Sequence, residues 1–205
     1  MNKNEKYSIK KYDSIADKYD QTADGRFTAK FKEELLKICT VVNGDKVLDV
    51  GCGNGSLIYE ISCKAKIQAY GIDISPNMIK ECQKKYKAIS FKVSSGEKLD
   101  FDDNTFDTMT ICCVLHHLHD ADNFVKEAKR VLKQNGFLII GEPCFPWGIR
   151  QLTNWIVSPL IRAGDNKIFS HQKLQQLIIN NNFEIVTLYK KNFKQIIKAK
   201  NLNLI

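Results

Sequence analysis

The sequence predicts an α/β fold, a mostly parallel sheet with helices on both faces. Three observations carry this. Strand-like and helix-like segments alternate from about residue 27 to residue 141. An apolar run, Val47-Leu48-Asp49-Val50, feeds a glycine-dense loop, Gly51-Cys52-Gly53-Asn54-Gly55. A second such run, Gly71-Ile72-Asp73-Ile74-Ser75, carries an acid 22 residues beyond Gly51. Strands alternating with helices over this length close into a parallel sheet, and such sheets bind ligands beyond the carboxyl ends of their strands.

Each element has a local reason. Phe27, Phe31, Leu35, Leu36 and Ile38 share one helical face, which predicts a helix over Phe27–Cys39. Lys46–Val50 is a short strand rich in β-branched residues, and Ser56–Ser62 a helix opening on the glycine loop. Gln68–Ile72 is the second strand. Ser75–Tyr86 is a helix with Ser75 as N-cap and Pro76 in its first position. Ile89–Val93 and Phe106–Cys113 are strands; the second is nearly continuous in apolar character, as a strand buried on both faces is. A helix over Asp122–Lys133 closes at Asn135-Gly136, and Phe137–Gly141 is the fifth strand. Ser170–Ile179 reads as a helix. Phe183–Tyr189 and Phe193–Ala199 read as a hairpin turning at Lys190–Asn192, which brings the sheet to seven strands.

A chain of 205 residues with 43% hydrophobic and 26% charged residues fits one globular domain. Its net charge of +8 is spread over scattered lysines with no run of 5–6, so it does not by itself single out a nucleic-acid partner. The seven cysteines include no C-x-x-C pair and read as reduced thiols of a cytoplasmic protein. The first twelve residues lack the apolar core of a secretory signal, and no apolar run is long enough to span a membrane.

The glycines let the backbone turn tightly against a ligand, and Asp49 bears on which ligand. A carboxylate at the loop mouth would repel a pyrophosphate and favour a cationic ligand. The third glycine of a dinucleotide fingerprint falls at Ser56, so that fingerprint is incomplete. Asp73 stands where a ribose-binding acid belongs, and a helix-capping acid is the alternative reading. His116, His117 and His119 crowd one turn, a spacing that seldom converges on one metal ion, so no metal is expected.

Val47 to Gly55 resembles motif I of the class I S-adenosylmethionine-dependent methyltransferases, and Asp73 with Ile74 resembles the next motif. Ser95-Gly96-Glu97 is similar to the segment that passes the adenine ring, although the family usually has an acid at the position of Ser95. Met78 matches an apolar residue packed on the adenine face, with a core methionine as the alternative. Cys112-Cys113-Val114-Leu115-His116-His117-Leu118 resembles the turn that faces both the methionine moiety and the acceptor. Tyr12 to Asp20 is similar to an N-terminal segment in the branch containing the ubiquinone and menaquinone C-methyltransferases, where tyrosines such as Tyr12 and Tyr19 help close the cofactor pocket.

The resemblance implies a Rossmann-like methyltransferase domain over residues 1–205, with 1–30 and 142–168 as lid segments. It implies S-adenosylmethionine as cofactor and S-adenosylhomocysteine as product. The cofactor-binding set it implies is Tyr12, Tyr19, Asp49, Gly51, Cys52, Gly53, Asp73, Ile74, Met78, Ser95, Gly96, Glu97 and Cys112. His117 is the candidate general base, and His116 and His119 are expected to be exposed or merely packed. The aromatic segment around Trp147 and Trp155 suits an apolar or aromatic small-molecule acceptor. An RNA or protein methyltransferase and a non-catalytic S-adenosylmethionine-binding protein are the competing readings, and either a monomer or a homodimer is compatible.

Overall fold

The computed structural model describes residues 3–152 and 168–202. In chain order these form α1 (Lys3–Asp13), a 3₁₀ segment (Ala16–Gln21), α2 (Ala23–Ile38), β1 (Lys46–Val50), α3 (Ser56–Ser62), β2 (Gln68–Asp73) and α4 (Pro76–Lys85). There follow β3 (Ser90–Val93), β4 (Phe106–Cys112), a 3₁₀ turn (Leu115–His117), α5 (Ala121–Val131), β5 (Leu132–Pro143), α6 (Trp147–Leu152), α7 (His171–Asn180), β6 (Phe183–Lys191) and β7 (Lys194–Asn201). One seven-stranded sheet has the order β3-β2-β1-β4-β5-β7-β6. The first five strands are parallel, and β7 pairs antiparallel with both β5 and β6.

Strand alternation splits the core into two. Val47, Ala69 and Ile139 pack with Phe31 and Leu35 of α2, Leu57 and Ile61 of α3 and Ile79 of α4. Leu48, Val50, Met109 and Ile111 pack on the other face with Phe124 and Ala128 of α5 and Leu174 and Ile178 of α7. Each fully buried side chain of this size stabilises the fold by about 1.5–3 kcal/mol. The sheet is thus covered on both sides, and its open surface is the row of carboxyl ends. Strand order reverses between β1 and β4, so the crevice lies there.

The central elements fall where the sequence predicts, with β1 and α3 matching end to end. Ser75 caps α4, accepting the Met78 N–H at 3.2 Å. Other boundaries differ, several by one or two residues and some by more. The helix expected from Phe27 begins at Ala23, because Thr22 Oγ1 accepts the Gly25 N–H at 3.0 Å and caps it four residues earlier. The N-terminal stretch, which has no apolar periodicity, forms α1 and a 3₁₀ segment. The fifth strand starts at Leu132 and absorbs Asn135-Gly136, with Asn135 at φ +63°; between paired positions, Phe106 to Thr108 of β4 face Leu132 to Phe137 of β5. The C-terminal hairpin turns at Asn192-Phe193, both at positive φ, rather than at Lys190–Asn192. Of the segment 142–168 expected as a lid, Glu142 belongs to the sheet, and residues 153–167, Trp155 among them, lie outside the described residues.

Candidate active site

A cleft of about 900 Å³, its open mouth included, lies over the carboxyl ends of β1, β2 and β4. Gly51, Cys52 and Gly53 form its floor. Gly51 is at φ +66°, and a Cβ there would stand 2.4 Å from Val114 Cγ2, so only glycine fits between the loop and the turn after β4. The loop is tied to β2: Cys52 N–H donates to Ile72 O at 2.9 Å, and Gly53 N–H to Asp73 Oδ2 at 2.8 Å. Asp73 Oδ1 accepts the Ser75 N–H at 2.9 Å. Burial pushes the Asp73 carboxyl up, and the backbone donors of Ser75 and Gly53 oppose this. Each oxygen keeps a lone pair for a further donor.

Twelve of the thirteen residues expected to bind the cofactor line this cleft: Tyr12, Tyr19, Gly51, Cys52, Gly53, Asp73, Ile74, Met78, Ser95, Gly96, Glu97 and Cys112. Asp49 does not. Its carboxylate lies beneath the loop and accepts Thr110 Oγ1–H at 2.6 Å; burial pushes its pKa up to about 7, opposed by the Thr110 hydrogen bond and the charge of Lys32. The expectation that Asp49 meets the ligand at the loop mouth is therefore corrected. An odd-numbered residue on β1 points to the α2 face, not along the strand toward the crevice. Glu97 lines the wall, but its carboxylate accepts the His119 N–H at 2.5 Å and the Asp120 N–H at 3.3 Å, clamping the entry to α5.

Four contributors escaped the sequence reading. Thr28 and Lys32 reach the cleft from α2. Lys32 Nζ donates to Asn54 Oδ1 at 2.7 Å and Ser56 Oγ at 2.8 Å, so a buried cation braces the glycine loop. Glu5 and Ser8 reach it from α1, and Ser95 Oγ–H donates to Glu5 Oε1 at 3.4 Å. The i, i+3, i+7 spacing of Glu5, Ser8 and Tyr12 is the signal that could have revealed this face.

At the other wall are Cys113, Val114, His117 and Leu118. Tyr12 Oη and His117 Nε2 are 3.2 Å apart, joining α1 to the turn after β4. His116 is buried, not exposed, and faces away from the cleft: Nδ1 is 2.7 Å from Glu142 Oε2, while Glu142 Oε1 accepts the Leu115 N–H at 2.9 Å. Glu142, fully buried, thereby fixes the histidine turn, and the His116 and His117 ring centroids are 4.2 Å apart. The hydrogen bond with Cys82 and burial raise the Cys52 thiol, and burial with the hydrogen bond of Cys112 raises that of Cys113, both well above the ordinary value, so neither is a thiolate at neutral pH. Tyr19, its hydroxyl donating to Thr28 Oγ1 at 3.2 Å, is likewise held in its neutral form by burial.

Fold and site together define an α/β domain whose cleft over the strand ends is lined by a glycine turn, the strand-end acid Asp73 and Met78. Residues 48–140 match the family described as a methyltransferase domain. Over 160 residues the chain is 29% identical to the demethylmenaquinone methyltransferase of Thermotoga maritima, covering 76% of this chain and 69% of that one. It is 31% identical over 160 residues to the ubiquinone biosynthesis O-methyltransferase of Pelagibacter ubique, covering 68% and 65%. The chain spans 56% to 69% of the length of the first five such relatives. In fold it is similar to a chain of the complex between a Haloferax volcanii methyltransferase activator and a putative methyltransferase, with a TM-score of 0.80 at 15% identity over 94% of this chain and 98% of that one. The chain is thus similar to methyltransferases in sequence over its central part and in fold over nearly its whole length.

Proposed function

We propose that the protein transfers a methyl group from S-adenosylmethionine to a small apolar acceptor of the phenol or quinol type. The observation that carries this is one cleft lined both by Asp73 and the glycine loop and by Val114, His117 and Leu118. The names of the relatives, which specify demethylmenaquinone and ubiquinone biosynthesis, support the acceptor class. We place the reaction in the cytoplasm, since all seven cysteines are free thiols. Among the described residues no helix is long and apolar enough to cross a membrane.

The residues present fit the cofactor. Asp73 would accept the ribose hydroxyls; Ile74, Met78 and Gly96 would flank the adenine; Lys32 would hold the carboxylate of the methionine tail. When bound, the sulfonium supplies an already activated methyl group. The protein's work is then to position the acceptor in line and exclude water, which is proximity catalysis. Tyr12 and Tyr19 close one side, and the N-terminal 30 residues act as a lid of a single domain. His117 is placed to take a proton from a hydroxyl acceptor through Nε2, the atom facing Tyr12 Oη.

The test is transfer of a labelled methyl group from S-adenosylmethionine into a cell metabolite extract. Label in the organic-soluble fraction is expected. Label confined to RNA or protein, or none with cofactor bound, overturns the acceptor class. His117→Asn is expected to lower turnover with cofactor affinity unchanged; full turnover removes its role as base.

A further inference from the structure

The surface formed by α2, the end of β5 and the β6–β7 turn carries exposed aromatic rings and cations. At the β6–β7 turn, Phe193 is 52% exposed and sits at φ +62°, where glycine is favoured and a bulky ring is an outlier. Its ring meets Phe145 at 5.8 Å, and its carbonyl accepts the Cys144 N–H at 2.7 Å, which ties the turn to the end of β5. Two residues beyond Phe145, Trp147 is 71% exposed. On α2, Phe27 is 41% exposed and directly precedes Thr28 of the cleft wall. Lys190 and Lys191 flank the turn, and Arg26 and Lys30 flank Phe27, all exposed. Lys194 Nζ donates to Lys30 O at 3.0 Å, so turn and helix form one surface. The nearest acids, Glu34 and Asp24, are already ion-paired with Lys37, Lys194 and Lys11; Glu33 lies further along α2.

We propose that this aromatic and basic face docks the protein on a bilayer surface bearing anionic phospholipid headgroups. Rings of Phe and Trp sit at the boundary between headgroups and chains, while lysines and arginines gain from the negative surface potential. A strained aromatic residue that the interior does not need is what an interfacial role would retain. Docking here would face the cleft mouth to the layer in which an apolar acceptor dissolves. The surface rests on its own observations, and its test needs no acceptor.

Co-sedimentation of the full chain with vesicles of phosphatidylcholine alone, or mixed with phosphatidylglycerol, is the experiment. Binding only to the mixed vesicles, weakened by salt, is expected. Lys190→Gln with Lys191→Gln should weaken it about 30-fold, from the loss of two interfacial charges. Phe193→Gly should raise the Tm by relieving the backbone yet weaken vesicle binding, opposite signs that a merely destabilising change cannot produce. Calorimetric titration with S-adenosylhomocysteine checks that each variant keeps its cleft. No binding to mixed vesicles, or binding unchanged in these variants, overturns the proposal. So does a dimer in solution that Trp147→Ser dissociates, or RNA binding that the lysine changes abolish while vesicles do not compete.

Discussion

Gly51 has no room for a side chain, and its conformation disfavours one, so two independent costs coincide there. Gly51→Ala is expected to destabilise the protein by about 2–4 kcal/mol, read by thermal denaturation, from the left-handed backbone and the collision with Val114. Asp73 carries a different load. On the proposed ribose role, Asp73→Ala should weaken S-adenosylhomocysteine binding by about 100-fold in calorimetry, the equivalent of about 3 kcal/mol. Asp49 acts on stability instead. Its pKa of about 7 in the fold exceeds that of an unfolded aspartate, so the folded state holds a proton that the unfolded chain has released. Stability therefore falls as pH rises from about 4 to about 7 and levels off above. Asp49→Asn should remove that slope and raise stability near pH 8 by about 2–4 kcal/mol in urea unfolding. A wild-type stability that rises over the same interval would contradict the placement of this carboxyl.

At the scale of elements, α1 is the least self-sufficient. It is almost wholly polar, and Asp13 ties it to α4 by accepting the Asn77 N–H at 3.0 Å. Truncation of residues 1–13 is expected to leave the unfolding midpoint of the ligand-free protein nearly unchanged while weakening S-adenosylhomocysteine binding about tenfold or more, since Glu5, Ser8 and Tyr12 leave the cleft. At the hairpin, Phe193→Gly should stabilise by about 1 kcal/mol in urea unfolding. The sequence made the sheet legible because β1 and β2 are short runs that end against glycine or serine-proline, and β4 is nearly continuous in apolar and β-branched residues. It also singled out Asp73, which lines the cleft, through a fixed distance from the loop. What it concealed was tertiary. Lys32 reads as one lysine among many until α2 is laid against the loop. Glu142 carries no motif and becomes significant only because β5 sets it beside the histidine turn. Asn135-Gly136 reads as a stop, and it falls in the unpaired irregularity between Leu132 and Phe137, which the strand runs through.

Across the whole molecule, the sheet's seven strands put the chemistry at one edge row and leave the rest to packing. The two cores share no helix. Damage to α7 should therefore lower stability without touching the cleft, which none of its residues line. Leu174→Ala, fully buried on α7, is expected to cost about 2–5 kcal/mol in urea unfolding, with S-adenosylhomocysteine affinity retained wherever the protein is folded.

The insertion of β7 between β5 and β6 has a consequence for how the chain is made. Of the described strands β7 leaves the ribosome last, yet β5 depends on it for one of its two ladders. Until Lys194–Asn201 emerges, Ile139 and Ile140 stand on an open, apolar edge of a nascent sheet, ready to pair with another chain. Premature termination just before that strand should thus give insoluble product rather than a shortened enzyme.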